Sequence, residues 1–190
     1  LNAIDRSAKR GSELTTKLME FSSVKSSQIT PLDINHSIEE MSILILGTLA
    51  STVTLEKNLD SRLKNTAADI GDFENALLNL VINANDGMPD GGRLVIETSN
   101  CALDDAYCER HSGIKPGQYL QLVIRDTGSG IREEELERIF EPFFTTKPVG
   151  KGTGLGLSMV FGFVERTQGH IKVESEIGKG TTFRLYLPAI

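Results

Sequence analysis

Two asparagines, Asn79 and Asn83, stand one helical turn apart in the apolar run Asn79-Leu-Val-Ile-Asn83-Ala84. On a helix they share a face. Their amide carbonyls can serve a hard cation such as Mg²⁺, which keeps some of its waters and binds phosphate too. Structural amides or caps would look the same. Asp126 ends the buried-strand pattern Tyr119–Arg125 and opens Asp126-Thr127-Gly128-Ser129-Gly130, whose glycines permit a tight turn. A carboxylate at such a strand end can accept the exocyclic amine of adenine. It would repel the oxygen that guanine presents there. A common Asx turn is the alternative. Gly150-Lys-Gly152-Thr-Gly154-Leu-Gly156 leads into a helix, where bare N–H groups and the positive dipole end favour phosphate; a plain hinge is the other reading. No Gly-Lys-Ser/Thr closes it, so it is not a Walker loop, and its spacing is not a dinucleotide fingerprint. In Ile139-Phe-Glu-Pro-Phe-Phe-Thr-Thr-Lys147, adjacent aromatics could anchor a lid whose lysine reaches phosphate. Core phenylalanines and a solvated lysine are the bland alternative.

These residues need elements to hold them. Asp69 can cap a helix through Ala84, with Phe73, Leu77, Leu80 and Val81 on one face. Asn35 can cap another, running to about Leu46. Glu133–Ile139 and Leu155–Thr167 also read as helices, the last stopping at Gly169. Strands are expected over Thr30–Asp33, Val53–Leu59, Arg93–Thr98, Tyr119–Arg125, His170–Glu176 and Thr181–Leu187, the last two forming a hairpin. Asn100–Gln118 reads as a polar surface connection. Leu1–Val24 reads as a helix with a narrow seam, Ile4, Gly11, Leu14, Leu18 and Phe21 with Ser7 filling one step, that wants a partner helix. The mixed order with late antiparallel strands predicts an α+β fold with helices on one sheet.

A chain of 190 residues fits one domain, or one domain with a small appendage. A net charge of -6 argues against a nucleic-acid binder. No apolar run reaches membrane-spanning length, and no signal peptide is recognisable. Cys101 and Cys108 form no metal or redox motif. A chain that starts at Leu1 is expected to be a piece of a longer protein, whose upstream part could be membrane-anchored.

In order, Asn79–Ala84, Asp126–Gly130, Ile139–Lys147, Gly150–Gly156 and Gly178-Lys-Gly-Thr-Thr-Phe183 resemble the N box, first glycine box, F box, second glycine box and closing hairpin of sensor histidine kinases. Those kinases share an ATPase superfamily with gyrase, the mismatch-repair ATPases and the large heat-shock chaperones. The resemblance covers roughly Thr30–Pro188, and the Asn-Asp-Gly-Met-Pro-Asp-Gly-Gly run resembles the nitrogen-regulation and hybrid-kinase branch. It implies a two-layer α/β sandwich of Bergerat type, with helices on one face of a mixed, mostly antiparallel sheet. One long helix would precede it: residues 1–27 as part of a dimerisation and phosphotransfer domain, residues 28–190 as the ATP-binding domain.

The resemblance implies ATP and Mg²⁺ as cofactors. Asp126 would bind the adenine amine, with Gly128 and Gly130 in the turn beside the ring. Asn83, helped by Asn79, would hold the metal. Gly152, Thr153, Gly154, Leu155 and Gly156 would line the phosphates and hinge the lid, and Thr181 and Thr182 would sit near the base. Asp86 stands where many histidine kinases carry a basic residue, which leaves Lys147 as the phosphate cation. Gly87 is expected to loosen the helix end. Asn79 replaces the general-base Glu of the ATP-hydrolysing relatives, so hydrolysis should be slow. The implied partners are the phosphoacceptor helix, a response-regulator receiver domain and a second copy in the full-length protein, all in the cytoplasm. No direct membrane contact by this stretch is expected. His36, His111 and His170 are expected to lack the acidic neighbour and helical setting of a phosphoacceptor. Two other readings stand beside this one: an ATPase that drives conformational change, and a non-catalytic nucleotide-sensing or dimerisation module.

Overall fold

The computed structural model describes residues 28–111, 114–148 and 152–190. The expected helix over Leu1–Val24 lies outside them, and so does the domain boundary at 27/28. β1 (Thr30–Leu32) pairs antiparallel with β3 (Thr66–Ala68). Three residues are too few to show a period, so β3 was not legible as a strand. Thr66 also bridges Ala189, which ties the end of the chain to this small sheet.

The helix expected from Asn35 to Leu46 is two, α1 (Ile34–Glu40) and α2 (Ser42–Thr48), joined at Met41. Asp33 is the cap, its carboxylate accepting from the His36 N–H at 3.0 Å. Asn35 instead tethers the helix to the sheet. Its Nδ2 donates to the Asp60 carbonyl at 2.8 Å, and its Oδ1 accepts from Thr98 Oγ1 at 2.8 Å.

Asp69 caps α3 (Ile70–Gly87), accepting from the Asp72 N–H at 3.1 Å. The helix continues past Ala84 and includes Gly87 as its last residue. The main sheet has the order β2-β4-β5-β7-β6, built from β2 (Val53–Leu59), β4 (Gly92–Leu103), β5 (Gly117–Asp126), β6 (His170–Glu176) and β7 (Gly180–Pro188). β2 and β4 run parallel and every other neighbour antiparallel, which is the mixed, mostly antiparallel sheet of the expected α+β sandwich.

Strand alternation sorts the faces. Leu120, Leu122 and Ile124 of β5 join Phe183, Leu185 and Leu187 of β7 in one core. α3 and α6 (Gly156–Arg166) close that core with Phe73, Leu77, Leu80, Val160, Phe163 and Val164. The Phe73 and Phe163 rings meet at 6.0 Å between the two helices. Each such side chain contributes roughly 1.5–3 kcal/mol on full burial, so the two helices are fixed on the sheet and their ends become rigid platforms.

The stretch read as a polar connection is structured. β4 continues to Leu103, and α4 (Asp105–Arg110), capped by Asp104, lays Tyr107 against Leu103, Tyr119 and Tyr186 in a second, smaller cluster. Its few apolar residues are scattered among charges, which hid the helix. α5 (Glu133–Leu136) is a single turn, shorter than expected. No described helix is long and apolar enough to cross a membrane.

Candidate functional site

The C-terminal end of α3, the end of β5 and the β6–β7 hairpin meet around a cavity of about 760 Å³. Alternation on β5 puts Asp126 on the core-facing side, in line with Leu120, Leu122 and Ile124. Being the last residue of the strand, it meets the cavity rather than the core. Asp126 is only 8% exposed. Oδ1 accepts from the Gly128 N–H at 2.8 Å and the Thr181 N–H at 3.2 Å. Burial nonetheless wins over these bonds and raises the carboxyl above its ordinary pKa. Such a group gains from any donor that enters the cavity.

The turn after Asp126 is wedged between helix and hairpin. The Ser129 N–H donates to the Gly87 carbonyl at 2.9 Å, and the Gly178 N–H to the Ser129 carbonyl at 2.8 Å. Gly130 has φ +74°, and a Cβ there would fall 2.2 Å from the Glu176 carbonyl oxygen. No other residue fits. Gly128 does not line the cavity: a Cβ on it would lie 2.5 Å from the Gly87 carbonyl oxygen, so its place is packing the turn onto α3.

Asn79, Asn83 and Asp86 lie at i, i+4 and i+7, beside the core stripe of α3, and all three line the cavity. A Cβ on Gly156, at the start of α6, would lie 3.1 Å from Asn79 Oδ1, so a glycine there lets helix and amide approach. Two passes of chain, Phe143–Lys147 and Gly152–Gly154, line the cavity from another side. The Phe143 N–H donates to the Gly154 carbonyl at 2.9 Å, and a Cβ on Gly154 (φ +67°) would strike the Phe143 backbone at 2.3 Å. Gly152 lies against Thr145 and the Lys147 stem in the same way. Lys147 thereby reaches α3, and its Nζ donates to Asp86 Oδ2 at 2.6 Å and to Asn83 Oδ1 at 3.2 Å.

The structure thus brings Asn79, Asn83, Asp86, Asp126, Gly130, Lys147, Gly152, Thr153, Gly154, Gly156 and Thr181 around one cavity. Leu155 and Thr182 are not among the lining residues. Leu155 turns its side chain inward and is buried, and Ser158 Oγ donates to its carbonyl at 2.8 Å. Thr182 follows an inward-facing Thr181, so alternation sends it to the opposite face of the sheet. Ser175 was missed. Its hydroxyl lies 2.9 Å from Thr181 Oγ1 and accepts from the Ile131 N–H at 2.8 Å, bracing the hairpin against the turn. An alternating strand position was the only signal for it.

Among the described residues no cluster of three or more His, Cys, Asp or Glu could hold a metal. The amide carbonyls of Asn79 and Asn83 do suit a hard cation completed by water and phosphate. Asn83 Oδ1 already accepts a cation, the Lys147 ammonium. None of the three histidines lines the cavity. His36 departs from expectation: it sits on α1, with its Nε2 3.3 Å from Glu40.

Residues 68–190 match the family model described as histidine kinase-, DNA gyrase B-, and HSP90-like ATPase. Over 187 residues the chain is 39% identical to the sensor kinase CckA of Brucella abortus (strain 2308), covering 98% of this chain and 20% of that protein. It is 34% identical to sporulation kinase E of Bacillus subtilis (strain 168), covering 73% of this chain and 16% of that one. The chain therefore spans about a fifth of the length of these relatives. Among solved structures, a mycobacterial sensor histidine kinase, MprB, superposes with a TM-score of 0.66 at 27% identity, covering 85% of this chain and 97% of that one. Motif order, cavity geometry and these matches agree, and the chain belongs to the histidine kinase-, DNA gyrase B- and HSP90-like ATPase family.

Proposed function

We propose that this domain binds ATP with Mg²⁺ and serves as the catalytic domain of a protein-histidine kinase. The observation that carries the reading is the buried Asp126 carboxylate on one wall of the cavity, with the Asn79 and Asn83 amides on another. Asp126 would accept the adenine amine, with Gly130 and Thr181 flanking the ring. The loop from Gly152 to Gly156 would offer N–H groups and the α6 N-terminus to the phosphates. Asn83 with Asn79 would hold Mg²⁺, which supplies charge neutralisation on the triphosphate. Lys147 would meet the terminal phosphate.

In the reaction, the lone pair of an imidazole nitrogen attacks the γ-phosphorus. The bond to the β–γ bridging oxygen breaks, and its electron pair leaves with ADP. The chain's residues contribute position and charge rather than covalent chemistry. Asn79 cannot take a proton from water, which disfavours hydrolysis and separates this domain from an ATPase that drives conformational change. The acceptor histidine would come from the phosphoacceptor helix of the dimerisation domain, and the phosphoryl group would pass to an aspartate of a response-regulator receiver domain. The cellular setting is a homodimer in the cytoplasm, with residues 1–27 belonging to the dimerisation domain.

Mixing the domain with a separately supplied phosphoacceptor domain and labelled ATP tests this. Acid-labile phosphate on the acceptor is expected. Nucleotide binding without transfer would favour a nucleotide-sensing module instead.

A further inference from the structure

The Lys147 ammonium stands where the proposed metal would be received. It donates to Asn83 Oδ1 at 3.2 Å and makes its shorter bond, 2.6 Å, to Asp86 Oδ2 one turn further along α3. The lysine is steered there. Its N–H donates to Thr145 Oγ1 at 3.2 Å, and Gly152 lies so close to its stem that a Cβ there would sit 3.1 Å from Lys147 Cδ. The pair is only partly exposed, 32% for Lys147 and 40% for Asp86, so solvent does not wholly dissolve it. An ammonium and a divalent ion are both acceptor-seeking cations. They cannot share one amide oxygen at close range without strong repulsion.

We infer that Lys147 is a built-in occupant of the cation position on Asn83, held there by Asp86, and that Mg²⁺-nucleotide binds only by displacing it. This rests on the metal reading of Asn83 above. Asp86 then has a definite task. In place of a basic residue aimed at phosphate, this chain carries an acid that retains the lid lysine until a competing cation arrives. A terminal phosphate compensates for the displaced pair by giving Lys147 a new anion. ADP lacks that phosphate, so it meets the cost without the return. The device therefore discriminates Mg²⁺-ATP from Mg²⁺-ADP on the side of the protein that faces the metal.

The test is calorimetric titration of the domain with ADP and with ATP, each over a series of Mg²⁺ concentrations, for wild type, Lys147→Met and Asn83→Ala. Lys147→Met is expected to tighten Mg²⁺-ADP by about three- to five-fold, the scale of one partly exposed ion pair. It should also lower the Mg²⁺ concentration needed for half-saturation, and improve Mg²⁺-ATP less than Mg²⁺-ADP. Unchanged or weaker Mg²⁺-ADP binding by Lys147→Met overturns the inference. Asn83→Ala separates the two failures. If it removes the Mg²⁺ dependence while Lys147→Met brings no gain, the metal reading stands and the displaced lysine falls. If it leaves the Mg²⁺ dependence intact, both fall.

Discussion

At the scale of single residues, Asp126 carries the sharpest consequences. Its carboxylate is buried beside the cavity and its pKa is raised by that burial. Replacing it with Asn should weaken adenine-nucleotide binding by roughly 1.5–3 kcal/mol, the worth of a hydrogen bond to a charged group. Calorimetry should show ATP bound and GTP not bound by the native protein. Equal affinities for the two would remove Asp126 from base recognition. The raised pKa also sets a pH dependence with opposite signs for folding and for binding. The acid is harder to ionise folded than unfolded, so its contribution to stability is fullest below the ordinary value of 3.8 and is lost as pH rises through the folded pKa. In its proposed role Asp126 would accept from adenine in its ionised form, so binding should weaken as pH falls through that same raised value. A titration of affinity against pH should therefore break above 3.8. Gly130 is the other residue with no substitute. Ala there would combine φ +74° with a Cβ 2.2 Å from the Glu176 carbonyl oxygen. Strain of that kind costs about 1–3 kcal/mol, so thermal unfolding should shift clearly downward; an unchanged melting temperature would mean that the turn is free to move.

At the scale of elements, the strong features were legible because periodicity writes them plainly. The 3.6-residue stripe of α3, with its Asp69 cap, and the two-residue alternation of β5 and β7 are read directly from residue types. What escaped has physical reasons. β3 is too short for a period to show. α4 buries only part of one side and looks like a charged loop. Asn35 is a good capping residue type, but the cap is Asp33, two residues earlier, and the Asn35 amide bonds Asp60 and Thr98 instead. Thr181 and Thr182 show the limit at the site. Two identical neighbours both matched the motif, and only the pleat decides which one faces the cavity. α4 also yields a prediction. His111 stacks on Tyr107 at 4.2 Å, and the His111 and His170 rings meet at 5.3 Å beside Tyr186. Burial first, then His111 and Lys172, lowers the His170 pKa from 6.5. A neutral His170 is thus favoured by folding. Its stabilisation is full above pH 6.5 and is lost as pH falls through the lowered folded value. Thermal melts should decline over that window, and His170→Phe should flatten the decline. A native curve already flat across it would show that the histidines carry no such load.

At the scale of the whole molecule, the cavity and the histidines are kept apart. His111 and His170 sit at the end of the sheet opposite Asp126, since β5 pairs Tyr119 with one end of β7 and Arg125 with the other. His36 has a helical setting and an acidic neighbour, yet it is not part of the cavity wall. Incubation with Mg²⁺ and labelled ATP should therefore leave no acid-labile phosphate on His36, His111 or His170, as mass spectrometry can check. Label on any of them would mean that the nucleotide lies elsewhere. The two ends of the described chain are both tied to β3, at its opposite ends. The Gln28 N–H donates to Asp69 Oδ2 at 2.9 Å, while the Ile190 N–H donates to the Asn65 carbonyl at 2.9 Å. α3 starts beside Asp69, and its far end lines the cavity. With a rise of 1.5 Å for each of its 18 residues, α3 is an arm of about 27 Å. A rotation of about 20° about the Asp69 end of that arm would move its cavity end through about 9 Å. On the proposed kinase reading, a rigid rotation of that size would carry a bound nucleotide several ångströms towards a target side chain with no change inside the domain itself.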